Sequence, residues 1–282
     1  MNKRKLEETA FKWIMVASLG IVVSSLMALI LMVTLKGLPA LNLDMITQMP
    51  KGGYYLGREG GILNAIVGSL YLAIGATVLA LMISLPVALA LQRGYMSKGW
   101  LPGLVRLALD VLWGIPSIVY GAFGFVIMLY FGMRASLLGG ILALTLLEIP
   151  VMTRAMDEVV SRVSTDLADA SYALGATRLE TALNVILRQA LPGLITAVLL
   201  AFGRGIGDAA SVLFTAGYTD RIPTSLFDPV ASLPLAIFFQ LGTPFPEVQE
   251  RAYASAVILL ILLLLMSLGS RLLLKRLAKY VV

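Results

Sequence analysis

Apolar residues run through this chain in blocks too long for an ordinary globular core. Windows at roughly 13–35, 62–91, 103–131, 136–152, 191–216 and 253–274 each approach or exceed the ~20 apolar residues that cross a bilayer as a helix, the fourth being the shortest. Continuous runs such as VILLILLLLM (257–266) lack the alternation of a membrane-barrel strand. The pattern predicts an all-α integral membrane protein with six transmembrane helices. A membrane domain covers 13–274, flanked by cytoplasmic tails at 1–12 and 275–282. The first apolar run is too long for the core of a signal peptide and has no small-residue cleavage pattern after it, so it reads as a retained helix.

Between the fourth and fifth windows the period changes. Over 153–194, Met156, Val159, Val160, Val163, Leu167 and Ala170 recur at helical spacing with charges on the intervening face, which marks amphipathic helix outside the membrane. Ser164 and Thr165 are suited to cap a helix, with Asp166 and Asp169 in its first turn facing the positive end of the dipole. Gly175 suits a left-handed turn, and Thr177 with Glu180 three residues on has capping-box spacing. A short helix, a glycine turn and a second helix are expected over about 164–188. The other long connection, 217–252, contains five prolines. Its apolar piece LPLAIFFQL either lies at the membrane surface or packs on the helix ends.

Composition and charge narrow the function classes. The chain is 59% hydrophobic and 13% charged, against ~25% charged in ordinary soluble domains. It has no Cys and no His, which excludes disulfides, Cys/His zinc sites and His-based triads, and no G-x-x-x-x-G-K-[ST] run to cradle a nucleotide. The net charge of +6 reads as topology, not as nucleic-acid binding. Lys36, Lys51, Arg58, Arg134, Arg221 and Arg251 fall in loops on one side; the remaining cations, Arg204 apart, fall on the other, which places both termini in the cytoplasm. Lys12 with Trp13 and Lys98 with Trp100 read as interface anchors.

Charges inside the apolar windows are the candidate chemistry. Arg204 and Asp208 lie four apart in AFGRGIGDAASVLF (201–214), spaced to share a helical face. Burying a charge in lipid costs at least ~2.5–3.5 kcal/mol, so the two residues either pair structurally or line a polar path. Arginine suits an oxyanion, and a nearby acid weakens capture so that the ion leaves. Glu148, just before Pro150, is either a second counter-ion for Arg204 or a cytoplasmic-interface residue. Arg154 and Glu158 repeat the spacing and form a candidate gating pair. In GIPSIVYG (114–121), Pro116 is placed to break the helix and offer Ser117 and Tyr120 to a cavity, or to make a packing kink.

DASYALGATRLETALNVILRQALPGL (169–194) resembles the coupling motif of ABC importer permeases: E-A-A, three residues, G, nine residues, then I-x-L-P. Asp169, Ala170 and Ser171 stand for the first group and Gly175 for the glycine, while Asp169 replaces the usual Glu and Arg188 falls where the proline would be. GIPSIVYG, PVMTRAMDEVV (150–160) and AFGRGIGDAASVLFTAG (201–217) are similar to the phosphate-specific, PstA-type branch, with Asp208-Ala209-Ala210 where that branch has Glu and then Thr-Ala-Pro. The resemblance implies the type I ABC importer permease fold in a bacterial inner membrane. It also implies a homologous permease partner, two ATP-binding subunits that use ATP and Mg, and an extracytoplasmic phosphate-binding protein. This chain itself is expected to bind no cofactor and to have no ATPase site. The resemblance places Asp169, Ala170, Ser171 and Gly175 at the coupling contact and supports Arg204 on the substrate path, where Asp208, Ser117 and Glu148 are further candidates from their own positions. Alternatives are another oxyanion such as molybdate or sulfate, or a stand-alone secondary transporter.

Overall fold

The structure, a computed structural model, describes residues 3–51, 59–92 and 99–277; Lys98 lies outside them. Helix α1 (Lys3–Gly37) leads through a short 3-10 turn into α2 (Leu43–Thr47), whose N-cap Asn42 accepts the Met45 amide at 2.7 Å. Two-residue strands β1 (Pro50–Lys51) and β2 (Glu59–Gly60) pair antiparallel, Pro50 opposite Gly60. The bundle follows: α3 (Leu63–Ala90), α4 (Leu101–Trp113), α5 (Ser117–Tyr130) and α6 (Leu137–Ser161), then α7 (Thr165–Ala173) and α8 (Arg178–Thr181). A π-helical turn, Ala182–Ile186, carries α8 into α9 (Leu187–Ile206). Helices α10 (Leu233–Leu241) and α11 (Pro246–Leu277) complete the chain.

Helix α6 is the central element, packed against α3, α9, α4 and α5. Small residues explain how closely it is approached. On α3, Ala73, Ala76, Thr77 and Ala80 are buried at helical spacing, so that the two backbones come close, while Leu72 fits over the bare Gly140 of α6. A methyl group on Gly75 would stand 2.6 Å from the Ile141 side chain, and one on Gly140 would stand 2.6 Å from Leu72. Below this, Met152 and Met156 of α6 meet Ala80 and Ala88 of α3 and Leu194, Ala197 and Ala201 of α9.

Three of the expected spans depart from their windows in ways that bear on the site; the first and last only extend beyond theirs. The 103–131 window is two helices, α4 and α5, bent by 98° at Gly114–Pro116, where proline lacks the amide needed to continue and sits as N-cap of α5. The fourth span begins at the Ser136 cap but does not stop at 152; α6 continues through the expected amphipathic segment to Ser161. The fifth runs from Arg178 to Ile206, not from 191 to 216, because the second hairpin helix passes through the π turn into the span without ending.

Residues 207–232 do not form a helix. Their carbonyls instead serve the start of α6, whose first amides have no partner within the helix: Ser136 N donates to Thr215 O at 2.9 Å, Leu137 N to Asp228 O and Leu138 N to Leu226 O, each at 2.8 Å. Of the two readings of LPLAIFFQL, the structure gives a packed helix: α10 buries Leu233, Leu235 and Ala236 against α3 and α11, with the Leu233 amide donating to Ser69 Oγ at 2.8 Å.

Candidate functional site

Arg204 occupies the last turn of α9, where the negative end of the helix dipole favours a cation. The helix stops at Ile206, since Gly203, Gly205 and Gly207 are poor helix formers and an aspartate competes for local backbone bonds. Asp208 therefore does not share a helical face with Arg204. Its carboxylate turns onward and accepts the Ser211 amide at 2.7 Å. Among the described residues no ion pair or hydrogen bond engages Arg204, which is exposed. The expected mutual pair is absent, and the arginine is left open to the surface of the chain.

The segment after Asp208 is buried at Ser211, Val212, Thr215 and Ala216 and lies against the first turns of α5. Contact there is backbone to backbone: a methyl group on Gly121 would stand 2.7 Å from both Ala210 O and Ser211 O. Ser117, the first residue of α5, and the Arg204–Asp208 corner are thus on neighbouring elements. Tyr120 lies within electrostatic range of Arg204, and its hydroxyl donates to Leu112 O at 2.7 Å, bracing the α4–α5 bend.

Glu148 fits neither of its expected settings. It is completely buried between α3, α6 and α9, forms no ion pair with Arg204 and does not reach the interface. Oε2 accepts the Thr77 hydroxyl at 3.0 Å, and Oε1, without a hydrogen-bond partner among the described residues, rests on Gly205.

The hairpin follows its predicted chemistry closely. Ser164 caps α7 and accepts the Asp166 amide, and Gly175 has φ +85°, the left-handed region. Both halves of the capping box form: Thr177 Oγ1 accepts the Glu180 amide at 3.3 Å, and Glu180 Oε2 accepts the Thr177 amide at 2.8 Å. These Thr177 contacts, the amide first and the hydroxyl second, hold the Glu180 carboxyl below the usual carboxylate range. Ser171 and Thr181 hydroxyls close the hairpin at 2.9 Å. No residue of α7 is buried; Asp169 and Ala170 are exposed, and Leu174 at the tip is 90% exposed.

Residues 80–279 match the family described as "Binding-protein-dependent transport system inner membrane component". The chain belongs to this family. Among its relatives, the phosphate transport system permease protein PstA of Xylella fastidiosa is 33% identical over 245 residues, 86% of this chain and 83% of that protein. The PstA protein of Yersinia pestis is 32% identical over 236 residues, 84% of this chain and 79% of that protein. The inward-facing MetNI methionine ABC transporter shares the fold, with a TM-score of 0.64 over 77% of this chain and 95% of that one, at 21% identity. The chain is accordingly a multi-pass inner-membrane permease with the type I ABC importer fold.

In this permease the expected Arg154–Glu158 gating pair is not formed. Arg154 turns toward α4, Nε donating to Asp110 Oδ1 at 2.6 Å and Nη1 to Asp157 Oδ2 at 3.1 Å, while Glu158 accepts Arg162 Nη2 at 2.9 Å. Four apart on a helix is only an opportunity to pair, and a buried carboxylate one turn away competes better than an exposed one. The sequence reading missed Asp157, which is 3% exposed, and its other partners, Arg106 and Gln92. The available signal was Arg106 and Asp110 at i,i+4 on a helix otherwise apolar, a polar stripe in need of a partner.

Proposed function

We propose that this permease subunit carries inorganic phosphate inward across the bacterial cell membrane, forming the path with a homologous permease subunit. Two ATP-binding subunits, using ATP and Mg, would drive it, and an extracytoplasmic phosphate-binding protein would deliver the ion. Both termini are cytoplasmic in this reading, with 164–188 facing the ATPases through Asp169, Ala170, Ser171 and the Gly175 turn.

The observation that carries the substrate assignment is Arg204, an unpaired guanidinium at the end of a membrane helix, in a chain whose relatives are named phosphate permeases. Its planar donors match phosphate oxygens. Asp208, held away from it by the Ser211 amide, leaves those donors available while keeping a negative charge near enough to oppose trapping. Ser117 begins α5, the helix whose Gly121 packs on the segment after Asp208. Glu148 supports the path from behind as a buried neighbour of Gly205, without meeting the ion in this conformation. Transport then requires that ATP binding favour one of two arrangements of the hairpin, with the path following.

The test is ATP-dependent uptake of labelled phosphate into vesicles holding the complete complex, with molybdate and sulfate as competitors. Loss of uptake in Arg204→Gln with assembly and basal ATPase retained supports the assignment. Uptake that persists in that variant removes Arg204 from the path; stronger competition by another oxyanion reassigns the cargo.

A further inference from the structure

At the cytoplasmic-hairpin end of the bundle, one carboxylate gathers three separate pieces of the chain. Asp157 of α6 is bound by both arms of Arg106 from α4, Nε to Oδ2 at 2.8 Å and Nη2 to Oδ1 at 2.9 Å. Gln92 Nε2, just past α3, donates to Oδ1 at 3.0 Å, and Arg154 Nη1 donates to Oδ2 at 3.1 Å. The same donors also hold the end of α3: Arg106 Nη2 reaches Leu91 O and Gln92 Nε2 reaches Ala88 O, both at 3.1 Å. Arg154 extends the set to Asp110 with a second two-point contact, at 2.6 and 3.4 Å. Two arginines and two aspartates balance in charge, so the cluster carries no net charge to expel it from a poorly solvated place.

The position of this cluster gives it consequences for transport. Helix α4 buries only Pro102 and Leu109, so apolar packing does not fix it; its polar stripe does. From α4 the chain turns through the 98° bend into α5, whose Gly121 lies against Ala210 and Ser211 just beyond Asp208. In the other direction α6 passes through Arg162 and Val163 into the Ser164 cap of the hairpin. A cavity of about 850 Å³ lies between the cluster and α7, lined by Arg106, Arg154, Asp157, Asp169 and Tyr172 among others, so the link from hairpin to cluster runs along α6.

We propose that Asp157 is a positioning residue that makes α4 move with α6, so that displacement of the 164–188 hairpin reaches the α4–α5 bend and the path. Bidentate arginine bonds resist both stretching and rotation, unlike a single apolar contact. This rests on the reading of the chain as an ATP-driven permease, and its test separates the two.

The chain has no cysteine, so Leu107→Cys on α4 and Ala173→Cys on the hairpin can be spin-labelled alone before reconstitution. In the complete complex the Leu107–Ala173 distance should be the same with and without a non-hydrolysable ATP analogue. Asp157→Asn should make that distance nucleotide-dependent and lower phosphate uptake per ATP hydrolysed about tenfold or more, the range of ordinary site-to-site coupling. Asp157→Glu should recover part of both. If Asp157→Asn fails to assemble, Arg106→Lys, which keeps the charge but loses the fork, decides by the same two readouts. A constant distance and native uptake per ATP in an assembled variant overturn the proposal. Absence of ATP-driven uptake in the unsubstituted complex would instead overturn the transport reading, whatever the distances do.

Discussion

The carboxyl group of Glu148 rests on the bare Cα of Gly205, so close that a methyl group at Gly205 would stand 2.0 Å from Oε1. The α6–α9 contact is therefore built around a side chain on one helix and its absence on the other, one residue from Arg204.

Gly205→Ala should accordingly be the most damaging glycine-to-alanine substitution in α9. Overpacking of a close contact costs typically about 1–3 kcal/mol, occasionally more. The Glu148 carboxyl has little freedom to withdraw because Thr77 holds its other oxygen at 3.0 Å. A lowered melting temperature of the purified complex, with weaker phosphate uptake, is the expected outcome. Glu148→Gln, which keeps the shape and an acceptor for Thr77, should melt near the native temperature, and Glu148→Ala well below it.

Gly121→Ala should impair transport by another route. The added methyl meets Ala210 O and Ser211 O at 2.7 Å, and backbone cannot swing aside as a side chain does. The start of α5 must move off the Asp208 segment. We expect at least a severalfold loss of uptake with membrane insertion unchanged, measured against Gly203→Ala, where nothing lies within 4 Å.

Gly175 tests conformation apart from space. A side chain there meets nothing within 4 Å, but φ of +85° costs an L-residue ~1–2 kcal/mol. Gly175→Asn, tolerant of that region, should keep copurification with the ATP-binding subunits better than Gly175→Val. Equal loss in the two would point to contact rather than backbone strain.

Acid should loosen the hairpin through Glu180. Its folded-state pKa lies below the unfolded value, so its stabilisation is present above the ordinary Glu value of about 4.3 and is lost as pH falls through the lower, folded value. Amide exchange at Thr177 should therefore accelerate below about pH 4 beyond the intrinsic trend. Glu180→Gln should show that faster exchange already at pH 7.

Local signals in the chain were legible where the chemistry was local. Ser164, Gly175 and the Thr177–Glu180 box act within a few residues of themselves, and their geometry matches their spacing. Pro116 likewise announced the bend. The helix limits were harder, because hydropathy reports burial in an apolar medium and not helicity: 207–216 continues an apolar window yet packs as an irregular segment against α5. The ion pairs were hardest. Arg154 had two acids within one turn on its own helix, and its choice of Asp157 and Asp110 over Glu158 depends on where α4 lies, which no residue spacing in α6 encodes. The resemblance located the hairpin and the arginine without fixing their partners.

The π turn at Ala182–Ile186 has a further meaning for the chain from Arg178 to Ile206, 29 residues or about 43 Å at ~1.5 Å per residue. An unbroken α-helix would lock the compass bearing of every residue to every other. The wide turn takes up one extra residue, so the bearing of the hairpin relative to Arg204 differs from the one a plain α-helix of the same residues would impose. Excising a single residue from that turn would return it to a plain α turn and leave both ends folded, whereas excising one from the α-helical stretch beyond it would rotate the hairpin against Arg204 by about 100°.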